Sequence, residues 1–201
     1  MSFFLKKKTT INYSFVMGRF SQKIGNHFQY FPIDSWQNEL KIGNKFGFDG
    51  VEWIISDYSN PIFNPKNILN IKKELKLNKM KISSVALDFI MSEPLHSIKG
   101  NNLKWIIKKI LYLQKKINIP RITIPIEETC RYKNKKQKKK TLDNLYFLLN
   151  QLSKKSKISI ETDLRFEELF TILNNKKFSE LGLLIDIGNI RASGKDLEKF
   201  L

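Results

Sequence analysis

Short apolar runs alternate along this chain with longer amphipathic stretches, and each change of period predicts an element. Ile11 to Met17 reads as a strand ending at Gly18-Arg19, and Asp49 to Ile55 as a second. Met80 to Leu87, Arg121 to Ile126, Ile158-Ser159-Ile160-Glu161 and Leu183-Leu184-Ile185-Asp186 supply four more. Between the strands, apolar residues recur at helical spacing. Trp36, Leu40, Ile42 and Phe46 mark a helix opened by Asp34 or Ser35 and closed by Gly47. Further helices are predicted over about Asn67 to Leu77, Lys104 to Ile117, Leu142 to Ser153 and Phe166 to Leu173, with a last one starting near Asp196. Trp105, Ile106, Ile110 and Leu113 form the expected buried stripe of the Lys104 helix. The lysine run from Lys133 to Lys140 reads as a solvated loop and first helical turn.

Strand and helix thus alternate six times, with room for a crossover helix in every connection, which predicts βαβ units and a parallel sheet. No Gly-x-Gly-x-x-Gly follows the first strand and no phosphate-loop motif is present, so a nucleotide-binding doubly wound sheet gains no support. Polar residues close many different strands, as in an α/β fold of the (β/α)8 TIM-barrel type, whose chemistry gathers on one rim. A full barrel has eight units and roughly 250 residues. The 201 residues here supply about six units, so residues 1–201 read as a single incomplete barrel domain with residues 1–10 as a basic tail.

Composition bears on this picture in four places. A hydrophobic content of 41% fits a folded core. The single cysteine, Cys130, rules out an internal disulfide framework and, with no histidine near it in sequence, reads as inert rather than reactive. No apolar run reaches the ~18 residues of a membrane helix, and Lys6-Lys7-Lys8 follow the first apolar residues, the reverse of a secretory signal, so a cytoplasmic protein is expected. The formal net charge is +17, yet of 36 basic residues only Arg19, Arg121, Arg131, Arg165 and Arg191 are arginine, leaving 31 lysines. Arginine supplies the bidentate contacts that read bases, so this surplus argues little for specific nucleic-acid recognition. Abundant lysine, asparagine and isoleucine are also what A/T-rich codons encode.

Candidate chemistry lies where apolar runs break. Leu183-Leu184-Ile185 stops at Asp186, followed by Gly188 and Asn189. Glu161, 25 positions earlier, ends its own run in the same way. Two carboxylates at the same end of neighbouring strands are the start of a metal or acid-base site. Glu52 interrupts an apolar strand, either as a polar contact inside a barrel or as part of the site. Gly18-Arg19 can hold a phosphate or simply form a turn with a solvated arginine.

Taken together, Met17-Gly18-Arg19-Phe20-Ser21, Phe46-Gly47-Phe48-Asp49-Gly50-Val51-Glu52-Trp53, Glu161-Thr162-Asp163-Leu164 and Asp186-Ile187-Gly188-Asn189 resemble the xylose isomerase-like TIM-barrel superfamily, in its sugar-phosphate isomerase/epimerase branch. That resemblance implies one divalent metal held by a glutamate, an aspartate, a histidine and a second glutamate. Glu161 would be the first glutamate, serving as ligand and base, and Asp186 the aspartate. The histidine and second glutamate belong to the seventh and eighth units, and His27 and His96 lie too early to replace them. Carboxylates suit Mg²⁺ or Mn²⁺, and an added histidine also admits Co²⁺ or Zn²⁺. The metal would stabilise the enediolate formed when a proton moves beside a carbonyl. Arg19 and Ser193, in the Ala192-Ser193-Gly194 loop, are candidates for a phosphate; Glu52, Asp88 and Glu127 are candidates for sugar hydroxyls, and Asn189 for substrate binding. The implied substrate is a small sugar or sugar phosphate, with activity lost if the chain is truncated. A non-catalytic barrel remnant that associates with itself or a partner is the alternative, since open sheet edges invite pairing. A nucleic-acid-binding or repair barrel is less favoured, because two histidines cannot build a histidine-rich zinc cluster.

Overall fold

The structure, a computed structural model, describes residues 11–22, 29–194 and 198. The predicted basic tail, His27 and the predicted helix at Asp196 lie outside the described residues. Six strands form one sheet: β1 (Ser14–Val16), β2 (Gly50–Ile54), β3 (Lys81–Ala86), β4 (Arg121–Ile126), β5 (Lys157–Thr162) and β6 (Leu181–Leu184). They lie in sequence order, and every neighbouring pair is parallel. A doubly wound sheet reverses its order at a switch point. This one never does, and among the described residues β1 and β6 do not pair, so the architecture is a barrel of six units left open between its first and last strands.

Six helices follow the strands in turn: α1 (Trp36–Lys45), α2 (Ile68–Leu77), α3 (Gly100–Lys116), α4 (Lys135–Leu152), α5 (Phe166–Leu173) and α6 (Ile187–Ala192). Strands between two layers must be apolar on both faces. Accordingly Ile122 to Ile126 of β4 are buried without a break. Trp53 of β2 packs against Phe31 and Trp36, and its indole N–H donates to buried Asn60 at 3.0 Å. Asn60 in turn donates to the Ile54 carbonyl at 2.9 Å, so the polar atoms brought inside with the tryptophan are partnered.

The helices depart from the sequence expectations in several ways, α6 being one that the apolar period does not predict. α1 buries Trp36, Glu39, Leu40 and Gly43, whereas Phe46 lies past its end and is exposed. Gly43 is there because a Cβ would run into the ring of Phe15. In α3 the buried stripe is Leu103, Ile106, Ile107, Ile110 and Leu113; Trp105 sits at its edge, 36% exposed, against Tyr58 and Phe63. α4 starts at Lys135, so most of the lysine run is helix. Asn134 caps it by accepting from the Gln137 N–H at 2.9 Å. Lysine is a good helix former on a solvated face, and the apolar stripe from Leu145 onward provides the anchor.

Candidate active site

The carboxyl ends of the strands open onto a cavity of about 640 Å³. β1 to β6 each contribute to its wall directly or through the residues that follow them, which is how the parallel fold converts strand ends into one rim. Arg19 lines it after β1, Glu52 within β2, Asp88 after β3, Glu127 after β4, Glu161 within β5, and Asp186 and Asn189 after β6. Seven of the eight residues singled out in the sequence therefore meet. Ser193 does not line the cavity; its hydroxyl donates to the Ile190 carbonyl at 2.8 Å and closes the last turn of α6.

Glu161 pairs in register with Pro125 on one side and Leu184 on the other. β6 ends at Leu184, and two residues later Asp186 caps α6, its Oδ1 accepting from the Asn189 N–H at 2.9 Å. That cap turns Asn189 back over the cavity. Its amide donates to Glu127 Oε2 at 3.0 Å and to Glu161 Oε1 at 3.3 Å, bridging carboxylates from β4 and β5. Glu52 has the structural and the site position at once. The β2–β3 register slips between Val51 and Glu52, a local irregularity that re-aims a side chain. Its Oε1 accepts from Ser84 at 2.7 Å and from Thr123 at 3.4 Å while it faces the cavity.

On a chain of formal charge +17, this cavity is acidic. Its described lining holds Glu52, Asp88, Glu127, Glu128, Glu161 and Asp186 against the single cation Arg19. Burial and then repulsion from Glu127, Glu52 and Asp186 push the Glu161 carboxyl up to about 8. A hydrogen bond to Asp186 holds its proton there as well. Burial likewise raises Glu127, to about 7; the Asn189 amide pulls it down, and Glu128, Asp163 and Asp186 add to the rise. Carboxyls so crowded must keep a proton or receive a cation. Glu161 and Asp186 share a proton in this way, through the hydrogen bond between them.

Two adjacent carboxylates fit an oxygen-liganded divalent ion such as Mg²⁺ or Mn²⁺, which keeps several of its waters. No histidine lines the cavity among the described residues, and no group of three or more His, Cys, Asp or Glu side chains there is arranged as a ready metal site. A closed nitrogen-rich zinc or cobalt site is therefore a poor match for this lining. His96 lies outside the cavity, its Nδ1 buried without a partner. Cys130 is buried near Met91 and the Glu127 carbonyl, and burial pushes its thiol up to about 12, consistent with an inert residue.

Several lining residues carried no sequence signal. Gln29 accepts from Arg19 Nη2 at 2.8 Å, and Thr123 hides in an aliphatic strand as the second donor to Glu52. The acid at the end of β4 was visible in the sequence, but its bridge through Asn189 was not.

No protein-family model matches the sequence, and no curated protein matches it. Solved structures do. The probable 3-DHS dehydratase involved in petrobactin synthesis from Bacillus anthracis superposes with a TM-score of 0.68 at 13% identity, covering 94% of this chain and 68% of that one. A xylose isomerase-like TIM barrel protein from Mycobacterium smegmatis, in complex with magnesium, gives 0.65 at 14% identity, covering 89% of this chain and 65% of that one. D-psicose 3-epimerase with D-tagatose from Clostridium cellulolyticum gives 0.61 at 14%, covering 92% and 70%. The chain spans about two thirds of the length of these proteins, and the likeness is one of fold.

Proposed function

We propose that this chain, which has the fold of the xylose isomerase-like TIM barrels in six βα units, carries an acid-base site for isomerising or epimerising a small sugar or sugar phosphate. One observation carries the reading: Glu127 and Glu161, from adjacent strands, hang from a single Asn189 amide inside an acidic cavity, with acidities moved toward neutral. A carboxyl in that range can both take and return a proton at neutral pH. Glu161 is the proposed base, removing the proton from the carbon beside the substrate carbonyl. Glu127 would exchange a proton with a substrate hydroxyl. Glu52, Asp88 and Asn189 would accept from or donate to sugar hydroxyls, and Arg19 would face an anionic group.

Glu161 and Asp186 are the residues that would hold a divalent ion, which when bound would stabilise negative charge on substrate oxygens. The rest of the chemistry belongs to the carboxyls: they orient the hydroxyls, hold the abstracted proton and give it back at the neighbouring carbon or on the opposite face. The test is proton exchange. The protein is incubated in D₂O with Mg²⁺ or Mn²⁺ and a panel of ketoses and ketose phosphates, and the C–H beside the carbonyl is followed by NMR. Deuterium incorporation that disappears in Glu161→Gln supports the reading; no exchange with any sugar refutes it.

A second reading rests on the open sheet. Among the described residues β1 and β6 each have one strand neighbour, and Ile185 and Ile187 beyond β6 are exposed. Such edges favour pairing with another chain. Sedimentation velocity giving a dimer whose formation needs these isoleucines would favour it, and a stable monomer would end it.

A further inference from the structure

Glu39 is an acid that nothing in the cavity requires. It lies in the first turn of α1, is 1% exposed, and is not among the residues lining the cavity. A buried carboxyl is costly unless hydrogen bonds replace its water. Here they come from main chain 21 and 19 residues away: Gly18 N–H donates to Oε2 at 2.5 Å and Phe20 N–H to Oε1 at 3.0 Å. The residue between those two donors is Arg19, the only cation in the described lining.

The loop has been shaped for this grip. Gly18 adopts φ +96°, and a Cβ there would strike the Tyr30 carbonyl oxygen, so only glycine makes the turn. Arg19 N–H closes the turn on the Val16 carbonyl at 3.2 Å. The Phe20 ring is anchored against Phe15 and Phe46. Held on both sides, Arg19 reaches the cavity and donates to Gln29.

We infer that Glu39 is a positioning residue: its bidentate hold on the Gly18–Phe20 loop presents Arg19 to the anionic group of the substrate and so sets a preference for phosphorylated over neutral sugars. The inference rests on the sugar-site reading above. Glu39 itself touches no substrate. It replaces the entropy that a free loop would lose on binding with a fixed geometry, and a fixed guanidinium binds a phosphate oxygen more tightly than a mobile one.

The experiment is calorimetric titration of the full chain with fructose and with fructose 6-phosphate. Wild type is expected to bind the phosphate ester about tenfold more tightly or better, the value of one charge-assisted contact. In Glu39→Gln one oxygen acceptor and the charge are lost, and the preference is expected to fall to about threefold or less while fructose affinity stays within about twofold. A purely structural role would weaken both sugars together, and that result overturns the inference. Gly18→Ala displaces the same loop from the other side of the contact, leaving the Glu39 carboxyl chemically unchanged; it must lose the preference too, which keeps the inference open to refutation if Glu39→Gln does not fold. A retained preference in either variant overturns the positioning role alone. Wild type binding neither sugar overturns the site reading, and this inference with it.

Discussion

Replacing Glu161 by glutamine is expected to make the metal-free protein more stable at neutral pH. The wild-type carboxyl is displaced from 4.5 to about 8 by burial and by Glu127, Glu52 and Asp186. Between those two values the folded chain holds a proton that the unfolded chain has released, so stability falls as pH rises across the window. At ~1.36 kcal/mol per pKa unit, the span from 4.5 to pH 7 alone corresponds to about 3 kcal/mol. Water still reaches part of the carboxyl, and Glu127 shares the same repulsion, which brings the expected gain to about 2 kcal/mol. Glutamine keeps an oxygen for the Asn189 amide and removes the charge. At ~2–4 °C per kcal/mol for a chain of this size, Tm should rise by about 4–8 °C at pH 7.5 and much less at pH 5. Thermal melts followed by circular dichroism after EDTA treatment, from pH 5 to 8.5, would measure it. Millimolar Mg²⁺ or Mn²⁺ should then raise the wild-type Tm and leave the variant unmoved. A variant that melts at or below wild type at pH 7.5, or that gains as much from metal, would refute the crowded-carboxylate account.

Other perturbations read other parts of the structure. Asn189→Ala removes the donor shared by Glu127 and Glu161 and should cost about 1–3 kcal/mol in a urea titration at pH 7.5, with the loss shrinking toward pH 5 as both acids gain protons. Cys130, raised to about 12, should be thiolate in only about one molecule in 10⁴ at pH 8; a thiol reagent should leave it untouched in the native chain and label it fully in denaturant. Glu168 is pushed up by burial but pulled below its usual range by Lys138 and Tyr132. Its contribution is present above 4.5 and lost as pH falls through its lower folded value, so Lys138→Met should flatten the acid limb of the stability curve below about pH 4.5. Leu148→Ala, in the fully buried stripe of α4, should cost about 2–5 kcal/mol by chemical denaturation.

The sequence alone determined the alternation of strands and helices, their parallel order and the acids at the strand ends, because each of those is written in the local period of apolar residues. β2, β4, β5 and α5 lie where the pattern put them within a few residues. β1 is shorter than its apolar run: three residues, Ser14 to Val16, lie in register with Gly50 to Glu52 of β2. What the period cannot carry is direction and partnership. Trp105 looked like part of a stripe and sits at its edge, because Tyr58 and Phe63 from another loop supply the surface it packs on. Glu39 carries no signal in the apolar period and is buried, because the loop after β1 folds back with two N–H groups to satisfy it. Asp186 was legible as a strand-end acid, yet only the tertiary fold made it a helix cap and brought Asn189 over Glu127 and Glu161. Periodicity reports how much of a residue is covered; which atoms cover it is decided only when distant segments close on one another.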